Sequence, residues 1–163
     1  MRISAARATR RWGWHNGAMD VVSSLDLADR ILALQAVRMF SDVDVADLEQ
    51  IAELIIEKRY EPGETIFNRG DWEDDMILVV SGEVNLAGDV PIAARGPGEH
   101  IGELAMLRHQ PRSLTATAGP DGMHGLVVDC RVLERLVEDR PQIAASMLGT
   151  LAEILAAAEA SAG

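Results

Sequence analysis

Six short glycine- or proline-bearing turns divide the middle of the chain: Pro62-Gly63, Gly70-Asp71, Ser81-Gly82, Gly88-Asp89, Pro97-Gly98 and Gly119-Pro120. Glycine supplies backbone angles that other residues resist, and proline fixes φ and removes a donor, so each pair favours reversing the chain over extending it. The segments between them are short and β-prone. Strands are predicted over 58–61, 65–68, 76–80, 83–86, 90–94, 113–118 and 123–128. Strands of that length at such regular spacing close most readily into a compact antiparallel barrel or sandwich.

Helical periodicity brackets this region. Leu25, Ala28, Ile31, Leu32 and Met39 recur at helical spacing over 24–39, with Ser23 or Ser24 as the expected N-cap. A second helix is predicted from Asp44, whose carboxylate can cap it, with Leu48, Ile51, Ala52 and Ile55 on one face. Towards the end, Val132, Leu133, Leu136 and Val137 predict a short helix, and Pro141 suits the first turn of another carrying Ile143, Met147, Leu151 and Leu155. The fold class expected is α+β, an antiparallel, jelly-roll-like β-roll flanked by N-terminal and C-terminal helices. Residues 1–22 lack a sustained period and are expected to form an extension, leaving 23–160 as the domain.

The size and charge narrow the function. At 163 residues the chain is long enough for one core burying roughly 70% of the unfolded surface. Its formal net charge of −11 repels phosphate backbones and anionic headgroups, which speaks against general nucleic-acid binding and membrane-surface recruitment. No apolar run approaches the ~20 residues that span a bilayer, and the arginines of the first 19 residues are not followed by an apolar signal region. A cytoplasmic location is expected. Fourteen arginines against one lysine suit a GC-rich bacterial source. Cys130 is the sole cysteine, so no internal disulfide framework or multi-thiolate zinc site forms; it reads as a small buried hydrophobe.

The stretch with chemical content runs from Gly96 to Thr117, GPGEHIGELAMLRHQPRSLTAT. A glycine turn leads into a short apolar helical pattern, and an isolated arginine follows. Amides that open a short helix point outward unsatisfied and favour an anion; Gly102 permits close approach, and Leu104 and Ala105 are the expected donors. Arg112, after Pro111, offers a guanidinium fork for two phosphate oxygens, a geometry lysine does not reproduce. Glu103 beside an anion is unfavourable unless it faces a donor, and a ribose hydroxyl is one. Glu103 with Arg112 thus fits a sugar carrying a cyclic phosphate.

IGELAMLRHQPRSLTATA resembles the phosphate-binding cassette of cyclic nucleotide-binding domains, FGELALxxxxPRxATxxA, at Gly102, Glu103, Leu104, Ala105, Pro111 and Arg112. Upstream, Gly63, Glu64, Ile66, Gly70, Asp71 and Gly82 follow that family's turn pattern. The resemblance covers roughly residues 37–155. It implies an eight-stranded β-roll with the nucleotide inside and the last helix closing over its base. The residues implied at the ligand are Ile101, Gly102, Glu103, Leu104, Ala105, Arg112 and Ser113. Ile101 stands for the usual Phe and Leu114 for a small Ala, and the hairpin over 84–94 is short, so the wall near the base departs from the pattern. Ser113 fits either a phosphate or a guanine edge, and cAMP is preferred to cGMP. The implied role is sensing: ligand binding moves the C-terminal helix and biases contact with an effector domain or protein outside this chain.

Blander readings compete at each point. Glu103 and Arg112 would make a structural ion pair were it not for the full cassette, and some relatives keep the roll as an orphan interaction module without nucleotide. His100 and Glu103 suit a cupin-type metal site, but the second neighbouring histidine is missing. His109 and His124 fall outside that pattern, and Cys130 beside Asp129 lacks a histidine at triad spacing. No catalytic residue, metal or cofactor is therefore expected. Met147, Leu148 and Leu151 would mostly pack the core, Trp12, Trp14 and Trp72 receive no role, and the terminal helices leave open a homodimer or docking onto another domain.

Overall fold

A computed structural model describes residues 24–89 and 93–162; the predicted extension over 1–22, Ser23 as a cap, and the start of the strand predicted over 90–94 lie outside them. The helices α1 (Leu27–Ala36) and α2 (Val45–Leu54) flank a single 3-10 turn (Arg38–Phe40) and precede the strands β1 (Ile56–Tyr60), β2 (Thr65–Phe67), β3 (Asp75–Ala87), β4 (Ala93–Arg95) and β5 (His100–Ile101). The short helix α3 (Glu103–Arg108) then leads to β6 (Thr115–Asp129), α4 (Cys130–Asp139) and α5 (Pro141–Ala162). All strand pairs are antiparallel, in the order β1-β6-β3-β4, with β2 on β6 and β5 on β3.

Two sequence expectations change at the helix starts. The first helix begins three residues later than its periodicity predicts, because Asp26 takes the cap: its carboxylate accepts from Asp29 N–H at 2.8 Å. Asp44 does occupy the N-cap of α2, but its carboxylate makes no capping hydrogen bond.

The strands also join where the turns were expected to separate them. The stretches predicted over 76–80 and 83–86 are both part of β3, and those over 113–118 and 123–128 are both in β6, which starts at Thr115. Met123 pairs with Gly82 and Ala118 with Val84, so residues 119–122 stand against Glu83 alone. The Gly119-Pro120 signal is thus expressed as an outward bulge within a continuous strand. Gly82 has φ +76°, and a Cβ there would strike the Gly122 carbonyl. Among the described residues the sheet has six strands, two of them long and irregular, where the resemblance implied eight.

Period-two alternation sorts β3 and β6 between two cores. Met76 and Leu78 of β3 and Leu126 and Val128 of β6 face a cluster with Leu34, Phe40, Leu48, Ile51, Leu133, Ile143 and Met147 from the helices. The intervening Ile77, Val79 and Val127 turn into the roll, with Tyr60, Phe67, Val84, Ile101 and Met123. Both faces of these strands are buried, which is why they read as nearly unbroken apolar runs. Each such side chain withdrawn from water contributes about 1.5–3 kcal/mol. No helix among the described residues is long and apolar enough to cross a membrane.

Candidate functional site

The cassette sits where β5, α3 and the loop before β6 converge. Gly102, with φ +87°, is the N-cap of α3. A Cβ at Gly102 would overlap the Arg112 guanidinium and come within 2.7 Å of the Asp75 carbonyl, so glycine is needed both for the backbone angle and for the space. The first intrahelical bond runs from Met106 N–H to Gly102 O at 3.2 Å, leaving the amides of Glu103, Leu104 and Ala105 ahead of it.

Arg112 is the organising side chain. It precedes β6 instead of starting it, and its side chain is 1% exposed. One terminal nitrogen, Nη1, donates to the Asp75 carbonyl at 2.8 Å and the Gly102 carbonyl at 3.2 Å. The other, Nη2, pairs with the Asp75 carboxylate and lies 3.7 Å from Glu73 Oε2. The guanidinium carbon stands 4.2 Å from the centre of the Phe67 ring. Nε is buried and has no hydrogen-bond partner among the described residues. Burial, with the Asp75 carboxylate nearby, pushes the neighbouring Tyr60 hydroxyl up to about 12, so it stays a neutral phenol.

The other predicted site residues fall around this centre. Ile101 is buried within the roll and Ala105 is buried on α3. Glu103 opens α3 half-exposed, its carboxylate 3.9 Å from His100 Nε2. The structural ion pair between Glu103 and Arg112, which the full cassette outweighs in the sequence, is not made, since the acidic partners of Arg112 are Asp75 and Glu73. Ser113 is exposed. The Leu104 side chain lies outside the described set. Sequence reasoning missed Asp75, Glu73 and Phe67. For the two carboxylates the signal is the acidic run Glu73-Asp74-Asp75, which enters β3 opposite Arg112, the one buried arginine among the described residues; Phe67 carries none.

The C-terminal helix is anchored on the helical layer. Ile143 and Met147 join its core, and Thr150 Oγ1 donates to Asp42 at 3.2 Å. Asp47, buried on α2, pairs with Arg140 at the end of α4. The faces carrying Leu148 and Leu155 are exposed.

The architecture is an antiparallel roll packed on one helical layer, with an arginine buried behind a glycine-capped helix. Residues 57–140, more than half of the chain, match the family model described as cyclic nucleotide-binding domain. The chain belongs to that family. It is 29% identical over 109 residues to the cAMP-dependent protein kinase type II regulatory subunit of Drosophila melanogaster, covering 64% of this chain and 29% of that protein. It is 26% identical over 133 residues to the CRP-like cAMP-activated global transcriptional regulator of Mycobacterium tuberculosis, covering 78% of this chain and 58% of the regulator. The N-terminal domain of a transcriptional regulator from Streptomyces coelicolor A3(2) superposes with a TM-score of 0.68 at 26% identity, over 79% of this chain and 93% of that one. The chain spans less than two thirds of the length of these curated relatives.

Proposed function

We propose that this chain is a non-catalytic, cyclic-nucleotide-sensing regulatory module that binds cAMP in preference to cGMP. Arg112 and the amides of residues 103–105 take the cyclic phosphate, and Glu103 takes the ribose 2′-hydroxyl. Ile101, Gly102 and Ser113 complete the ligand's surroundings. The observation that carries this reading is the Nε of Arg112. A buried guanidinium nitrogen left without an acceptor costs about 1–3 kcal/mol, and an anion on the Nε–Nη2 edge of the fork would satisfy it. Two of the relatives are named for cAMP, which supports the same ligand class.

In this reading the acidic total is no obstacle, because a mononucleotide is bound by one buried arginine and a few amides rather than by a basic surface. Ligand contact with α3 shifts the packing of α4 and α5, and α5 acts as the lid. The energy of that shift is the difference in ligand affinity between the two arrangements. The output lies in an effector domain or protein, with a cytoplasmic setting.

Titration of the full chain with cAMP and with cGMP, repeated on Arg112→Ala, tests the proposal. Saturable binding of cAMP that the substitution abolishes supports it. Absence of binding to either nucleotide makes the chain an orphan interaction module.

A further inference from the structure

The helices α3, α4 and α5 line an open, mostly apolar pocket of about 290 Å³ with one polar corner. His109 ends the α3 turn, Cys130 is the first residue of α4, and Glu134 lies one turn further along α4. His109 Nε2 is 3.3 Å from Glu134 Oε1, and Cys130 Sγ is 3.4 Å from the same oxygen. The three donor atoms all fall within 4.8 Å of one another. The nucleotide reading uses none of these side chains.

Imidazole nitrogen, thiolate sulfur and carboxylate oxygen are the donors that zinc takes, at about 2.0–2.3 Å, and a tetrahedron built on such bonds has edges of about 3.3–3.6 Å. Two of the three edges already have that length. The third closes by movement of His109, whose side chain is 60% exposed. Residues four apart on a helix share a face, so Cys130 and Glu134 present their donors together. His109 adopts φ +47°, the sole non-glycine with positive φ among the described residues, and this turn carries it back over α4.

The bland account, an exposed imidazole–carboxylate pair beside a core thiol, leaves the convergence of sulfur and nitrogen on one carboxylate oxygen without a role. Such exposed pairs return little stability. The thiol also excludes the hard cations calcium and magnesium, which prefer all-oxygen sites.

We propose that His109, Cys130 and Glu134 form a three-ligand site for a zinc-type divalent cation, its fourth coordination position open to the cavity that Met106, Met147 and Leu151 help to line. On loading, the Cys130 S–H bond breaks, an S–metal bond forms and the proton passes to solvent. The bound ion ties the end of the cassette helix to α4.

Cobalt(II), a spectroscopic substitute for zinc, is titrated into the full reduced chain and then displaced with zinc. The expected result is one equivalent of cobalt with a thiolate-to-metal charge-transfer band and tetrahedral visible bands, both removed by zinc. His109→Gln and Glu134→Gln alter exposed side chains and leave the fold intact. Each is expected to weaken cobalt binding about tenfold or more, while Cys130→Ala removes the charge-transfer band. Cobalt in excess without a thiolate band, or binding unchanged in His109→Gln and Glu134→Gln, overturns the proposal. The nucleotide titration described above is independent of either result.

Discussion

Asp75 holds Arg112 by two different groups: its carbonyl accepts from Nη1 at 2.8 Å, and its carboxylate pairs with Nη2. The residues are 37 apart in sequence and meet because β3 begins beside the loop that delivers Arg112 into β6. The pair occupies part of the same donor edge that a phosphate would use. In the proposed reading, Asp75 is therefore both the positioning partner of the arginine and the phosphate's competitor for it.

That dual role predicts opposite changes in one variant. Asp75→Asn keeps the carbonyl contact but removes the negative charge, leaving a buried guanidinium undercompensated. The chain is expected to lose about 1–3 kcal/mol of stability. Saturating cAMP then raises Tm further in the variant than in the parent, as differential scanning fluorimetry with and without nucleotide would show.

Removing the arginine acts on the ligand directly. Arg112→Ala is expected to cost about 2–5 kcal/mol of cAMP affinity, which corresponds to about 30- to several-thousandfold in Kd. Arg112→Lys restores a charge without the planar fork and is expected to recover little of it in the same calorimetric comparison.

Glu103 is expected to govern the sugar and not the phosphate. Glu103→Gln weakens cAMP, while 2′-deoxy-cAMP, which lacks the hydroxyl, is affected much less. Discrimination between the two nucleotides falls by about tenfold, measured as the ratio of their dissociation constants.

Gly102→Ala tests the close approach. The left-handed angle alone costs about 1–2 kcal/mol for a residue with a Cβ, and the added methyl overlaps the Arg112 guanidinium. Denaturant unfolding is expected to show at least that loss, and nucleotide affinity falls because the arginine must shift.

A pH effect is expected far from the cassette. His124 is buried in β6 with Nε2 2.6 Å from Glu57 Oε1, and Glu57 also faces Arg30 at 3.7 Å and Arg59 at 3.4 Å. Burial, with Arg59 nearby, holds the imidazole below its ordinary 6.5, and Glu57 opposes this only in part. Protonation is then easier in the unfolded chain, so stability is flat above about pH 6.5 and declines as the pH falls from there towards the folded value. The Asp129 carboxylate, held below 3.8 by Arg131, contributes its own loss only at lower pH. Urea midpoints measured across this range should lose the upper decline in His124→Asn.

Much of the architecture is legible in the residues. Pro141 marks the start of α5, and the alternation around Met76–Val80 marks a strand. The glycine pairs mark where the backbone bends, but a bend and a strand end carry the same local signal. Only the pairing of Gly82 against Met123 and Gly122 distinguishes them, and that is a long-range relation. The cassette is readable because its residues are consecutive. Asp75, Phe67 and the His109–Cys130–Glu134 corner are not, since folding alone brings them together.

In the proposed function, Arg112 binds the phosphate of a cyclic mononucleotide. Isothermal titration calorimetry of the full chain with cAMP and cGMP measures it most directly. Saturable one-to-one binding of cAMP, weaker binding of cGMP, and loss of both in Arg112→Ala are expected. No heat and no thermal shift with either nucleotide at millimolar concentration would contradict it.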